Sequence, residues 1–243
     1  MIKDFDGIII SENKYSESSK IINILTKENG IIGVIAKGAL KLKSNFSGVT
    51  TKFTYAKFHM YYKKDKLSTL IAVDIINPLK KIKKDIIKIS YVSFITELTT
   101  QAIKHDNDPN IYDIYINSIL KIEEGFDPLI ITNILELKLL QYIGVKPSID
   151  SCVICGNKTS IITLSSNKGG FLCKKCHTNE KIINEKTIKM IRMMYYVDIS
   201  KISKLDISDN IKEEINMFLD DYYDRYTGFY LKSKQFLKNI VKL

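Results

Sequence analysis

Two pairs of cysteines constrain this chain more than any other feature of its sequence. The stretch SCVICGNKTSIITLSSNKGGFLCKKCH, residues 151–177, holds all four cysteines of the 243-residue chain as two C-x2-C pairs separated by seventeen residues. This spacing is typical of zinc sites, because each C-x2-C turn presents two thiolates to one ion. Four thiolates fill the tetrahedral shell of Zn2+ and leave no position for water. The sequence therefore predicts one structural, non-catalytic zinc ion, held by Cys152, Cys155, Cys173 and Cys176.

Other uses of these cysteines fit less well. We expect an intracellular protein, since the N-terminus MIKDFDGIII lacks the pattern of a secretory signal. Disulfides are rare inside cells, and a thioredoxin-like redox site needs a single C-x-x-C beside a β-α-β pattern. The run from Cys173 to His177 spells the C-x-x-C-H signature of c-type haem, but attachment of that haem implies export. One alternative stays open, in which His177 replaces Cys176 as a ligand.

Positive charge is concentrated in the first third of the chain. The formal net charge is +10. Residues 1–84 hold sixteen lysines against seven acids, a balance of +9, whereas residues 85–243 hold twenty-one basic residues against twenty acids. Lysines that neutralise phosphates release condensed counterions, so such a region favours a polyanionic partner. The alternative is a solvated surface with no ligand, but the asymmetry between the two parts favours the polyanion.

The same first third has the pattern of a small β-domain. Five short runs rich in β-branched residues are separated by polar or glycine-bearing turns. They are GIIISE, KIINILT, IIGVIAKG, TTKFTYAKFHMYYK and LSTLIAVDII. Alternation along the fourth run places Phe53, Tyr55, Lys57, His59 and Tyr61 on one face. Five strands in about 75 residues predict a closed barrel of the OB-fold kind, which protects its edges by closure.

Beyond Pro78 the periodicity becomes helical. Apolar residues recur every three or four positions from about Leu79 to Lys104, as in an amphipathic helix. Further helices are predicted at about 109–124, 127–143, 184–197, 208–226 and 232–240. The segment 129–140 is apolar on most sides and is predicted to be the buried central helix. We therefore predict an α+β protein, with an OB-fold domain at 1–79 and an all-α domain at 80–243 that carries the zinc knuckle as an insertion at 147–180.

No signature of catalysis is present. The eleven glycines form neither phosphate-binding nor dinucleotide-binding motifs, and no nucleophile elbow or H-E-x-x-H motif occurs. Adjacent acids such as Glu123 and Glu124 are typical of a solvated helix face. The apolar runs are interrupted well short of the roughly 20 residues that span a bilayer. We expect a cytoplasmic binding protein and not an enzyme.

The order of motifs resembles the RecO family of recombination mediators. The family pattern near the N-terminus is matched by Gly7, Tyr15, Glu17, Ser18, Leu25, Thr26, Gly30, Lys37, Gly38 and Ser44. The helical part with an inserted four-cysteine site and the ending TGFYLKSKQFLKNI are also similar to that family. The resemblance covers nearly the whole chain. Some members lack the cysteines, which suggests that the metal is a scaffold.

The resemblance implies an OB-fold, a helical bundle with a zinc knuckle, and a set of partners. These are single-stranded DNA, with duplex DNA left open, then RecR, the acidic C-terminal tail of single-strand-binding protein and, indirectly, RecA. It also implies annealing of complementary strands and a location in the cytoplasm at the nucleoid. On the basic and aromatic first third, the candidate phosphate contacts are Lys37, Lys41, Lys43, Lys63 and Lys64, and the candidate stacking residues are Phe53 and Tyr61.

Two rival functions share part of the pattern. A zinc-ribbon RNA-binding or translation-associated protein would have the same charge and cysteines but would prefer folded RNA. A nuclease or nucleotidyl-modifying enzyme would need acids that converge from distant helices. Competition between single-stranded DNA and folded RNA separates the first rival, and incubation of labelled DNA with Mg2+ or Mn2+ separates the second.

Overall fold

The computed structural model describes residues 1–241. These residues divide into two compact units, Met1–Lys84 and the remainder from Asp85 onward. The first unit is a β-barrel and the second is a helical bundle that carries a short hairpin. The fold class predicted from the sequence is confirmed.

Five strands form the barrel of the first unit. They are β1 (Ile2–Lys14), β2 (Lys20–Thr26), β3 (Gly30–Ala36), β4 (Tyr55–Tyr61) and β5 (Ser68–Asn77). They hydrogen-bond in the order β1-β2-β3-β5-β4, and β4 pairs with β1 to close the sheet. The pairing of β3 with β5 is parallel, and the other four pairings are antiparallel. Closure removes free strand edges, as the barrel prediction required.

Alternating side chains fill the interior of the barrel. Isoleucines of β1 and β2 pack against Val34 of β3 and against Phe58 and Met60 of β4. Gly7 lies where a Cβ atom would approach both Ile24 Cγ2 and the Leu25 carbonyl oxygen to 2.7 Å. Any side chain at this position would therefore push β1 away from β2. This close approach gives a physical reason for the glycine that begins the N-terminal motif.

The fourth strand is shorter than the sequence predicts. Ala56, Phe58 and Met60 point into the core, and Lys57 and Tyr61 are exposed, as alternation predicts. Phe53 departs from that alternation because its backbone lies in the left-handed region at φ 66° and precedes the strand. The Phe53 amide donates to the Ile9 carbonyl at 2.8 Å, which fixes this turn against β1.

Helices make up most of the second unit. The chain leaves the barrel through the short helix α1 (Lys80–Lys83), which belongs to the first unit. The helices of the second unit are α2 (Ile86–His105), α3 (Pro109–Glu124), α4 (Pro128–Tyr142), α5 (Glu185–Tyr196), α6 (Asp209–Tyr226) and α7 (Lys232–Val241). A two-stranded hairpin of β6 (Ile161–Ser165) and β7 (Gly170–Cys173) lies between α4 and α5. Among the described helices, none combines the length and apolar composition that crossing a membrane requires.

Local signals explain where the helices begin and end. Asp108 and Asp127 cap α3 and α4 and are each followed by proline at the first helical position, as predicted. The predicted helix from Leu79 to Lys104 is instead broken at Asp85, whose side chain accepts hydrogen bonds from the amides of Ile87 and Lys88. The hydrophobic periodicity is continuous across this position, but an N-cap starts a new helix there.

The central helix of the bundle is α4, as the sequence predicts. Ten of its fifteen residues are buried. It contacts α2, α3, α5 and α6. A helix that is apolar on all sides is stable only when surrounded, so α4 organises the bundle around itself.

Candidate nucleic-acid surface and metal site

The four cysteines converge on one point of the second unit. Their sulfur atoms all lie within 4.8 Å of one another, and no other group of three or more potential ligands occurs in residues 1–241. Cys152 and Cys173 are buried, Cys176 is half-buried and Cys155 is exposed. The structure therefore brings together the complete set of predicted metal ligands.

Each cysteine pair lies in a tight turn. The amide of Gly156 donates to the Cys152 carbonyl at 2.9 Å, and Gly156 has φ 73°, a conformation that favours glycine. In the second pair, the amides of Cys176 and His177 both donate to the Cys173 carbonyl at 3.0 Å. These turns aim two sulfur atoms each in one direction, which is why the C-x2-C spacing suits a metal.

The geometry and the donor set fit a tetrahedral thiolate site. The sulfurs of Cys155 and Cys173 are 3.6 Å apart. A tetrahedral ion with metal–sulfur bonds of about 2.3 Å separates its ligands by about 3.8 Å. Four protein sulfurs fill such a shell, so a metal held here would have no position for substrate or water. The site can brace the fold but is closed to hydrolytic chemistry.

The surroundings of the thiols favour ionisation at one cysteine. Burial of Cys152 opposes its ionisation, but hydrogen bonds from the amides of Cys155, Cys173 and Ile154 outweigh burial and lower its pKa to about 6. Hydrogen bonding to the other sulfurs, first to Cys155, raises the pKa of Cys176 to about 12. The amides therefore supply positive potential at Cys152 that offsets thiolate charge, whereas Cys176 needs a cation to lose its proton.

His177 does not lie among the metal ligands, the alternative that the sequence left open. Its Nε2 lies 2.6 Å from the Glu180 carbonyl oxygen, to which the ring N–H donates. The converging set contains Cys176 and not His177. The histidine thus braces the loop after the second cysteine pair, and the alternative in which it replaces Cys176 is not supported.

The predicted lysines of the barrel fall into two groups. Lys37, Lys41 and Lys43 lie directly after β3 and are exposed. This segment is held near the turn between β1 and β2, because the Leu40 amide donates to the Ser18 carbonyl at 2.9 Å. None of the three lysines forms an ion pair within residues 1–241. Their charge is free to meet an anion.

The second group lies in the turn between β4 and β5. Lys63 and Lys64 are exposed there, and the Lys63 amide donates to Ser68 Oγ at 3.1 Å. Beside them is a cavity of about 360 Å³. Its lining includes Asn29, Ile31, Lys63 and Lys66. Lys66 is thus a further candidate contact, one that the sequence pattern did not single out.

Both lysine groups lie beside β3. Lys37 follows the last residue of this strand, and the cavity beside Lys63 is lined by Ile31, Ile32 and Gly33 near its start. The Lys63 amide donates to Ser68, which pairs with Val34, so this turn also approaches the later part of β3. The structure thus places both predicted lysine groups on segments that flank one strand.

The two predicted stacking residues differ in exposure. Tyr61 is 52% exposed and immediately precedes the turn that carries Lys63 and Lys64. Phe53 is only 5% exposed, with its ring covered in part by Lys52, whose Nζ lies 4.7 Å from the ring centroid. Burial leaves Phe53 no face for a base, so its assignment as a stacking residue is wrong for this structure.

The outer face made by β1, β4 and β5 has a different charge. Asp4, Asp6 and Asp74 lie there around His59, whose Nδ1 is 2.7 Å from Asp4 and whose Nε2 is 2.8 Å from Asp74. Hydrogen bonds to Asp74 and then to Asp4 raise the pKa of His59. Lys57 lies 3.9 Å from Asp6. This face is poor in free positive charge, so a polyanion would meet β3 and its flanking turns instead.

Family models match both units. The model described as "Recombination protein O N terminal" matches residues 1–79, and the model described as "Recombination protein O C terminal" matches residues 83–235. Together these matches cover nearly all of the chain, including the cysteine segment.

Curated relatives extend over the same length. A protein named "DNA repair protein RecO" from Listeria monocytogenes serotype 4b is 33% identical over 241 residues, which are 98% of this chain and 94% of the relative. Proteins of the same name from Bacillus pumilus and Halalkalibacterium halodurans are each 32% identical over 244 residues. These alignments cover 99% of this chain and 95% and 96% of the two relatives.

Proposed function

The chain belongs to the RecO family of DNA repair proteins, and we propose that it binds single-stranded DNA through the barrel and anneals complementary strands. The observation that carries this proposal is the placement of exposed lysines, which form no ion pair within residues 1–241, on the segments that flank β3. The acidic cluster around His59 lies on the outer face of β1, β4 and β5, and Tyr61 lies at the end of β4, next to the turn with Lys63 and Lys64. We assign the phosphates to the lysines beside β3.

Binding alone supplies what annealing needs. Two strands repel each other through their phosphates, and lysines that neutralise some of these charges lower that repulsion. Lys37, Lys41, Lys43, Lys63 and Lys64 contact phosphates in this proposal, and Tyr61 stacks on a base. With Phe53 buried, few rings compete for bases, so most bases stay free to pair. No covalent change of DNA is required, and the protein acts without catalytic residues.

The family also suggests the setting in which this protein works. We include RecR, the acidic tail of single-strand-binding protein and, through these, RecA as partners, which places the protein at the nucleoid in the cytoplasm. The thiolate cluster holds one zinc ion as a structural brace, because the four sulfur ligands close its coordination shell.

The test compares the salt dependence of binding in three proteins. They are the wild type, a variant with Lys37, Lys41 and Lys43 changed to alanine, and a control with Lys57, Lys80 and Lys84 changed to alanine. The control removes the same charge from other parts of the first unit. For single strands, the slope of log K against log salt falls by about 0.7 for each phosphate that is no longer neutralised. We expect the slope to flatten by about two in the first variant and little in the control, with a parallel fall in annealing rate.

Two further assays separate DNA annealing from the rival functions, RNA binding and DNA cleavage. Folded RNA added in excess should displace the oligonucleotide less well than single-stranded DNA does, and the reverse order would favour the RNA-binding function. Cleavage of labelled DNA with Mg2+ or Mn2+ would reveal an enzyme. Equal slopes in all three proteins would remove the β3 lysines from the site, and absence of binding even in dilute salt would end the proposal.

A further inference from the structure

The second unit has its own uneven distribution of charge. Residues 146–192, which hold the metal site and most of α5, contain nine basic residues against three acids, a balance of +6. The rest of the chain from residue 85 contains twelve basic residues against seventeen acids, a balance of −5. The near-neutral total of this unit therefore hides one cationic region in an acidic surrounding.

Five lysines of that region are exposed and form no ion pair within residues 1–241. We name them the knuckle lysines: Lys158, Lys174, Lys175, Lys181 and Lys186. The acids of the region are already engaged. Glu180 lies 2.7 Å from Lys168, Glu185 lies 2.6 Å from Lys189, and Asp150 accepts from the Tyr196 hydroxyl at 2.6 Å. Among residues 1–241, no carboxylate therefore compensates the five ammonium groups.

Backbone contacts keep the knuckle lysines on connected segments. The Lys174 amide donates to the Ser160 carbonyl at 3.0 Å, which places the second cysteine turn beside the chain after Lys158. The Thr163 hydroxyl donates to the Lys181 carbonyl at 2.5 Å, so this lysine lies along β6. The second cysteine turn and strand β6 thus hold the backbones of Lys174 and Lys181 in place.

A cavity of about 420 Å³ joins this region to α5. It is lined by Lys158, by isoleucines of β6 and of the segment before α5, and by Lys189 and Arg192 of α5. Glu185 also lines it, but its carboxylate is paired with Lys189 at 2.6 Å. Within the described chain, no aromatic residue lines it. The site therefore offers positive charge beside aliphatic surface but no ring for base stacking, which suits a sugar-phosphate backbone better than exposed bases.

From these observations we infer that the knuckle lysines form a second nucleic-acid surface, which contacts the phosphates of a second strand. This inference rests on the proposed function, because it adds a second site to a protein that already holds one strand on its barrel. The metal then has an indirect role in binding, since it orders the turn that carries Lys174 and Lys175. Two separate cationic surfaces would let one molecule hold both strands that are to be paired.

The experiment uses the full-length, zinc-loaded protein and two labelled oligonucleotides that are not complementary to each other. Wild type should bind both at once, seen as energy transfer between the labels at protein concentrations that give one molecule per complex. A variant with Lys158, Lys174 and Lys175 changed to alanine should bind the first strand as wild type does, but should need a much higher concentration of the second strand to show transfer. Its salt slope for the second strand should flatten by about two. Changing the same three lysines to arginine should preserve both signals.

A matched control and a zinc measurement guard against indirect effects. Changing Lys104, Lys204 and Lys232 to alanine removes the same charge from the acidic remainder of the unit and should leave energy transfer intact. Bound zinc and the melting temperature of each variant should equal those of wild type. A knuckle variant that failed to retain zinc would be replaced by the variant with Lys158 and Lys181 changed to alanine, which leaves the cysteine turns untouched.

The outcomes separate this inference from the proposed function. Undiminished energy transfer in the knuckle variant, with a flattened slope in the Lys37, Lys41 and Lys43 variant, would overturn the inference and leave the proposed function standing. Failure of wild type to bind any oligonucleotide would overturn both. Weaker binding of an acidic peptide such as oligoglutamate, with unchanged binding of both strands, would assign the knuckle lysines to a protein partner and also overturn the inference.

Discussion

The metal site and the β3 side of the barrel are built in opposite ways. At the metal site, four sulfurs from two short turns converge within 4.8 Å. On the barrel, lysines from two separate segments beside β3 stay exposed and do not converge on one point. The first arrangement needs all of its members, because a tetrahedral shell with one ligand missing is a different site. The second is a sum of weak contacts, each of which can be removed alone.

The difference teaches where function and stability lie in this chain. A converged site contributes free energy to folding through its ion. An exposed lysine contributes little to folding but retains its full charge for a ligand. Changes at the two regions should therefore move different measurements, and the largest effects on stability should come from converged or buried groups.

The largest effect is expected at Cys152. Changing Cys152 to serine removes a buried ligand, and metal binding by small zinc domains is worth about 10–16 kcal/mol in isolated peptides. We expect zinc content to fall to less than about a tenth of an ion per molecule and the second unit to become less stable by at least about 4 kcal/mol. Metal analysis and urea unfolding followed by circular dichroism provide the measurement. Ser151→Ala is the adjacent control, and retention of full zinc by Cys152→Ser would contradict the four-ligand site.

The next effect is expected at Lys234, a half-buried lysine of α7. Lys234 lies 2.6 Å from Asp220 and 3.9 Å from the buried Glu136. Changing Lys234 to methionine removes the ammonium group from the buried Glu136 and leaves Asp220 with Lys238 alone, at 2.8 Å, which should cost about 3 kcal/mol in urea unfolding. Lys232→Met on the same helix is exposed and should cost less than about 0.5 kcal/mol. Equal losses of stability in the two variants would contradict the distinction between buried and exposed charges.

The same variant has a pH dependence with a definite sign. Burial raises the pKa of Glu136 to about 7, and Lys234 acts in the opposite direction. A carboxyl group whose folded pKa lies above its unfolded value of 4.5 favours the folded state at low pH and gives up that contribution as the pH rises through about 7. Without Lys234 the destabilisation at high pH grows, so Lys234→Met should be more destabilising at pH 8 than at pH 6.

A smaller effect distinguishes the two aromatic residues of the barrel. Tyr61→Ala should weaken binding of a single-stranded oligonucleotide by about 1–3 kcal/mol, as for one stacked base, without a change in stability. Phe53→Leu should leave affinity unchanged but lower the stability of the barrel by about 1 kcal/mol, because the ring is buried. Fluorescence titration and urea unfolding measure the two quantities. Weaker affinity in folded Phe53→Leu protein would return that residue to the binding surface.

The smallest effect is expected at His59. Its folded pKa is raised above 6.5 by Asp74 and Asp4, so protonated His59 stabilises the barrel below pH 6.5, and this contribution disappears as the pH rises above that value. Asp6 and Lys57 lie on the same face, and their opposite charges, 3.9 Å apart, partly cancel at His59. We expect less than about 1 kcal/mol, since His59 is partly exposed and both of its carboxylate partners are exposed to solvent. The measurement is hydrogen exchange of the β4 amides at pH 5.5 and pH 8. The protection factors of these amides should change more between the two pH values in wild type than in His59→Gln.

Several features of the structure follow from local sequence. Three features depend on residues only a few positions apart, and the sequence predicted each of them. They are the convergence of the C-x2-C pairs, the starts of α3 and α4 at prolines, and the apolar central helix α4. The break at Asp85 was missed because hydrophobic periodicity runs across it. The Asp85 side chain caps α2 and starts a new helix despite the continuous hydrophobic periodicity. An aspartate at this position was the one sequence signal of that start.

Other features depended on distant residues. Alternation placed Phe53 on the same face as Lys57 and Tyr61, but its backbone is left-handed and its ring is buried. The acidic face around His59 unites residues from three strands and has no signature in any one of them. The knuckle lysines lie in a part of the chain whose charge balance is hidden by the acids of neighbouring helices.

The sequence by itself determined the cysteine set, the order of the barrel strands and of the long helices, and membership of the family, because each depends on residue types at short or fixed spacing. It did not predict the β6–β7 hairpin. Only the tertiary structure decided which lysines face outward together, which aromatic ring is buried and which barrel face is acidic. The physical reason is that charges and rings act through space. Their neighbours are set by strand pairing and by the turns that close the chain, and not by their positions along it.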